Sequence, residues 1–201
     1  MEPLRVVTGI VAPLDRPNVD TDQIVPKQFL KRIERTGYES ALFFDWRYLP
    51  DGSENPDFEL NHPGYRGAKI LVTGRNFGCG SSREHAVWAL HDYGFRVIIA
   101  PSFAEIFAGN CLNNGILTIT PPEETVKELI RRAQQHPGME LTVDLEQQEI
   151  RGEGIHLPFE VDEFKRFRLL NGLDEIGLTL LHEDKIAAYE ARRPEYLTLG
   201  R

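Results

Sequence analysis

Cysteine is almost missing from this chain of 201 residues: Cys79 and Cys111 are the two, far apart and outside any Cys-x-x-Cys pattern. A disulfide scaffold is therefore excluded as the organising principle, and a reducing, cytoplasmic setting is expected. A cubane iron–sulfur cluster takes about three or four cysteine thiolates, so this chain alone is not expected to hold one. Long apolar runs are missing too, and none approaches the length that crosses a bilayer. The opening Met-Glu-Pro-Leu-Arg lacks the basic and apolar sections of a secretory signal. Positive charge is in deficit: 23 Lys and Arg face 31 Asp and Glu, a formal net charge of −8. That balance argues against nucleic acid or an anionic membrane as partner, while leaving room for a local basic pocket around a small acid.

What is present is a regular alternation of strand and helix patterns after an irregular first third. Leu4–Ala12 reads as a strand, followed by a polar turn region from Pro13 to Asp22. Residues 24–35 read as extended chain leading into a short helix. Residues 36–66, rich in Gly, Pro, Asp and aromatics, read as a long irregular loop of functional or mobile character. Strands are predicted at 69–73, 95–100 and 116–120, with helices at about 82–92, 104–112 and 121–135 between and after them. Residues 139–145 and 148–155 alternate as two antiparallel strands, and the chain from about 162 is mainly helical, broken near Asn171-Gly172 and Gly177. These patterns predict one α/β domain, its mixed sheet partly parallel and flanked by helices, with a helical C-terminal tail.

Between the strand ending at Thr73 and the helix that follows lies Gly-Arg-Asn-Phe-Gly-Cys-Gly-Ser-Ser-Arg-Glu-His, residues 74–85. Glycines there let the backbone turn tightly and come close to a ligand, and the next helix offers unpaired N–H groups. The stretch does not match a dinucleotide fingerprint, since Arg83 stands where a small residue is required, and it lacks the Gly-Lys-Ser/Thr of a phosphate loop. No Gly-x-Ser-x-Gly elbow occurs. Ser81 admits two readings: with Glu84 it fits a capping box, or it is a hydroxyl held for proton transfer. Buried, such a hydroxyl is a poor base unless amides, a helix dipole and a cation favour its alkoxide; Gly80, Ser82 and Arg83 supply those terms. Arg83 also offers a planar fork of donors for a carboxylate. Cys79 reads as a small residue in a tight turn, and His85 as structural, with no metal set around it.

Upstream, Asn18–Lys27 gathers Asp20, Asp22, Gln23 and Lys27 before a predicted helix. Asp20 reads as a helix cap. Asp22 and Lys27 are open between scaffold and substrate contact, as is Arg32. The cluster Phe43-Phe-Asp-Trp-Arg-Tyr48 reads either as a packed anchor or as a surface facing substrate or partner.

Residues 76–85 resemble the signature of the swivelling domain of the aconitase superfamily. Together with Asp20–Phe29, Gly37–Tyr48 and His182–Glu190 they are similar to the small subunits of bacterial 3-isopropylmalate dehydratases. The resemblance covers nearly the whole chain and implies the swivelling β/β/α fold. It also implies a large partner subunit that holds a [4Fe–4S] cluster, whose open iron binds the substrate hydroxyl and a carboxylate. The implied reaction is the reversible isomerisation of 2-isopropylmalate and 3-isopropylmalate through isopropylmaleate in leucine biosynthesis. Matched residue by residue, Ser81 takes the position of the catalytic base, and Gly80, Ser82 and Arg83 that of the substrate carboxylate site. Asp22, Lys27 and Arg32 are weaker matches on the same side, and no metal ligand is expected in this chain. Two alternatives stay open: a related dehydratase acting on citraconate, maleate or homoaconitate, and a stand-alone dicarboxylate-binding regulatory module.

Overall fold

Strand β1 (Val6–Leu14) carries two burial patterns in one segment. Its first half alternates between exposed and covered positions, and its last four residues are buried on both faces. Alternation suits a strand with one solvated face, and continuous burial suits a strand inside a parallel sheet. The computed structural model, which describes residues 1–31 and 34–193, shows why both occur. Val6–Ile10 pairs antiparallel with β5 (Glu140–Asp144), and Val11–Leu14 pairs parallel with β2 (Ile70–Thr73). β3 (Val97–Ile99) and β4 (Leu117–Ile119) extend the parallel half. β6 (Glu149–Gly152) and β7 (Ile155–Pro158) extend the antiparallel half. The sheet of seven strands thus runs β4-β3-β2-β1-β5-β6-β7. A mixed sheet with flanking helices was the sequence expectation, and the fold agrees.

Because strand side chains alternate, the parallel half feeds two cores. Leu71 and Ile98 point to one face, and Ile70, Val72, Val97 and Ile99 to the other. The first face is covered by α3 (Glu84–Tyr93) and α4 (Glu105–Asn113), through Ala86, Val87, Leu90, Phe107 and Cys111. The second is covered by α5 (Glu123–Gln135), whose Val126, Leu129, Ile130 and Ala133 follow helical spacing, and by Leu169 of α6 (Glu163–Asn171). The closing helices α7 (Glu175–Leu180) and α8 (Glu183–Glu190) contribute no buried residue.

Three expectations are corrected. Residues 148–155 are not one strand: Glu153-Gly154 forms a turn, so two short strands replace it. The helix expected from about 82 begins at Glu84. The stretch from 36 to 66 is no loose loop. It sends Tyr38, Leu42, Phe43, Phe58, Leu60 and Tyr65 into the first core, and it folds into short helical turns, α2 (Phe44–Arg47) among them. Within it Phe43 stacks on Trp46 at 5.6 Å, and the Arg16 guanidinium lies over Trp46 at 4.4 Å. The aromatic cluster is therefore a packed anchor.

Candidate active site at the glycine turn

All parallel strands point their C-terminal ends to one edge of the sheet, the usual location of ligand crevices in open α/β sheets. Loops leaving β1, β2 and β3 are tied together there. Asn18 N–H donates to Arg75 O at 2.8 Å, Gly78 N–H to Val19 O at 2.8 Å, and Phe77 N–H to Ser102 O at 3.1 Å. Gly78 is obligatory: its φ is +75°, and a Cβ would fall 2.1 Å from the Phe107 ring. The turn consequently lies flat against α4.

Beside it sits a helix of four residues, α1 (Thr21–Ile24), closed by a capping box. Asp20 accepts from Gln23 N–H at 2.8 Å, and Gln23 Oε1 accepts from Asp20 N–H at 2.9 Å. Asp20 is the helix cap that its sequence context predicted. The other predicted capping box is overturned. Arg83, in extended backbone, is the N-cap of α3 and makes no side-chain cap bond. Glu84 instead accepts from Asn114 Nδ2 at 2.9 Å, across to the end of α4. Ser81 is exposed, not buried, and its hydroxyl has no hydrogen-bond partner among the described residues.

A cavity of about 250 Å³ opens at this point, lined by Thr21, Gly78, Gly80, Ser81, Ser82 and Arg83 on one side and by Ala104–Phe107 and Asn110 of α4 on the other. Arg83 is mostly covered, with 15% of its side chain exposed, and its Nη1 donates to Asp22 Oδ1. No other hydrogen bond of this guanidinium occurs among the described residues, so its Nε–Nη2 edge stays open to a carboxylate. Asp22 thus faces Arg83, a partner that spacing did not reveal. Lys27 starts an exposed 3-10 turn (Lys27–Lys31) and does not line the cavity. Arg32 lies outside the described residues. His85 packs between rings, 4.7 Å from Trp88 and 5.6 Å from Tyr38, a structural role.

Sequence reasoning missed two contributors. Thr21, only 2% exposed, donates its hydroxyl to Ser81 O at 2.8 Å, while its N–H donates to Cys79 O at 2.9 Å. The first turn of α4, with Glu105 and Ile106, forms the far wall, and nothing in its residue pattern announces that placement. Cys79 is partly covered, and burial and then the Asp20 carboxylate push its thiol up from the usual range. Cys111, on the inner face of α4, is wholly buried. Two cysteines on separate elements, one sealed in the core, do not fit an iron–sulfur cluster. Among the described residues no group of three His, Cys, Asp or Glu is placed for a metal ion, and no helix is long and apolar enough to cross a membrane.

Comparison with known proteins places the chain in a family. The aconitase C-terminal domain family matches residues 1–124. A domain described as LeuD_N matches 127–163, and the C-terminal domain of the 3-isopropylmalate dehydratase small subunit matches 175–196. The chain is 62% identical over 195 residues to the 3-isopropylmalate dehydratase small subunit of Rhodopirellula baltica, covering 96% of this chain and 100% of that protein. Its identity to the protein of the same name from Bacillus subtilis is 58% over 198 residues, covering 98% and 99%. The crystal structure of 3-isopropylmalate dehydratase (LeuD) from Methanocaldococcus jannaschii aligns with TM-score 0.65 and 25% identity, over 92% of this chain and 99% of that one. The chain belongs to the aconitase C-terminal domain family and, within it, to the 3-isopropylmalate dehydratase small subunits.

Proposed function

We propose that this chain is the small subunit of a heteromeric hydro-lyase that interconverts 2-isopropylmalate and 3-isopropylmalate through isopropylmaleate, with Ser81 as its base. The observation that carries the reading is the uncapped Ser81 hydroxyl sharing one cavity with a covered, half-engaged Arg83. Arg83 takes a substrate carboxylate on its free Nε–Nη2 edge, in the cavity that Gly80 and Ser82 also line. Ser81 Oγ then removes the proton from the carbon next to a carboxylate as the C–O bond on the adjacent carbon breaks and hydroxide departs, a departure that the large subunit's cluster would assist as a Lewis acid. The proton and hydroxide return in the rehydration direction. The nearby guanidinium favours the alkoxide, and closure of the large subunit over the exposed turn excludes the water that would compete. Asp22 orients Arg83. Lys27 and Arg32 are carried over as cations for a second carboxylate, and the proposal does not depend on them. The family resemblance assigns the [4Fe–4S] cluster to the large subunit, and two cysteines in this chain are too few to hold it.

The test is reconstitution with the large subunit. Ser81→Ala is expected to assemble normally and to lose turnover on isopropylmalate by about 100-fold or more, the scale of a missing acid–base group. Near-normal rates would refute the assignment of Ser81. Arg83→Lys is expected to raise KM about tenfold or more, because an ammonium cannot reproduce the fork. Running citraconate, maleate and homoaconitate beside isopropylmalate decides the substrate within the family.

A further inference from the structure

Of the two left-handed glycines in the turn, Gly80 is the less closely packed joint, its nearest contact for a Cβ being Asp20 Cβ at 3.4 Å. Its φ is +91°, a conformation side chains disfavour, and it has no Cβ to lodge against its neighbours. Whatever fixes the orientation of Ser81 must therefore hold the backbone on both sides of this one residue. Thr21 does so with two donors from a single side: its N–H binds Cys79 O at 2.9 Å, before the joint, and its hydroxyl binds Ser81 O at 2.8 Å, after it. A Cβ built on Gly80 would stand 3.6 Å from Thr21 Oγ1, so the threonine also abuts the joint. Thr21 is itself buried, and the Asp20–Gln23 capping box locks the helix that bears it.

We infer that Thr21 is a positioning residue, acting through the Ser81 carbonyl to hold Ser81 at the cavity wall. The inference rests on the reading of Ser81 as base. Loss of the hydroxyl frees rotation at Gly80, which misplaces the Ser81 side chain, while the Arg83 carboxylate site, held by the neighbouring Asp22 side chain on the same capped helix, stays in place. The expected signature is a fall in kcat without a matching rise in KM.

The experiment uses the reconstituted complex and isopropylmalate, with Thr21→Val, Thr21→Ala and Thr21→Ser beside Ser81→Ala. Thr21→Val and Thr21→Ala are expected to lower kcat about 10- to 100-fold, as small misplacements of reacting groups do, with KM within about threefold of wild type. Thr21→Ser, which keeps the donor, restores most of the turnover. Thr21→Val placed on Ser81→Ala is expected to lose nothing further, because its effect passes through that hydroxyl. Equal turnover in the Ser and Ala variants, or a full additional loss in the double variant, overturns the inference. Should Thr21→Val fail to fold, the Ser and Ala pair decides alone. Turnover that survives Ser81→Ala refutes Ser81 as base; normal turnover in Thr21→Ala beside an inactive Ser81→Ala refutes only the role of Thr21.

Discussion

His91, in the last turn of α3, is half-buried, and burial followed by the Arg96 guanidinium holds its imidazole below the ordinary value of 6.5. A base with a depressed folded pKa binds its proton more weakly in the native state than in the unfolded chain. Its contribution to stability is complete above about pH 6.5 and is lost as pH falls through the lower folded value. Urea unfolding of His91→Gln at about pH 5 and about pH 7.5 should show a smaller difference between the two conditions than wild type; an unchanged difference would exclude His91 as a source. The cysteines make a second pair of expectations. Cys111, fully buried with its thiol driven well up, should resist iodoacetamide until the protein unfolds. Cys79 should react slowly in the native protein, and faster in Asp20→Asn, which keeps a capping oxygen but removes the charge. Peptide mass spectrometry after timed alkylation checks both. At this scale the sequence disclosed the groups with distinctive chemistry, Ser81 and Arg83, because glycines framed them. It was silent on Thr21, whose partners are backbone carbonyls some sixty residues away that any residue type would supply.

Elements explain why one capping box formed and the other did not. Both Asp20–Gln23 and Ser81–Glu84 have the spacing, but only the first is free to close on itself. At the second, Thr21 draws the Ser81 carbonyl away and Asn114 engages Glu84, so the chain stays extended until Arg83. Spacing alone therefore could not choose between cap and base for Ser81. The consequence is measurable by urea unfolding: Asp20→Ala should cost about 1 kcal/mol of stability, and Ser81→Ala about 0.5 kcal/mol or less. A loss at Ser81 as large as at Asp20 would restore the capping interpretation. Gly78→Ala forces a side chain into the left-handed region and into the Phe107 ring. It is expected to destabilise by about 2–5 kcal/mol, from backbone and overpacking terms together. Strand and helix positions after residue 69 were legible because each buried face has its own period. The segment from 36 to 66 was not, because its core residues are spaced by turns rather than by a repeat.

For the whole molecule, β1 decides the architecture, since it lies between a parallel half and an antiparallel half and belongs to both. Its strand character was legible at Leu4–Ala12, but its change from alternating to continuous burial and the identity of its two partners depend on contacts the local pattern does not encode. The helices α7 and α8 stand apart from this scheme, with Ile176, Leu180, Leu181 and Tyr189 exposed. In urea unfolding, a chain ending at Leu173 should keep its stability within about 0.5 kcal/mol of the full chain, because the removed helices bury no residue. A larger loss would mean that the tail braces the core. The two-sided pairing of β1 also has a bearing on how the protein is made. Strand β1 leaves the ribosome before either partner and finds one neighbour at 70–73 and the other only at 140–144. At roughly 5–20 residues per second, the second neighbour follows the first by some 3.5–14 seconds. Through that interval the nascent chain carries an apolar strand with one unpaired edge, the condition in which trigger factors and other holding chaperones are most useful.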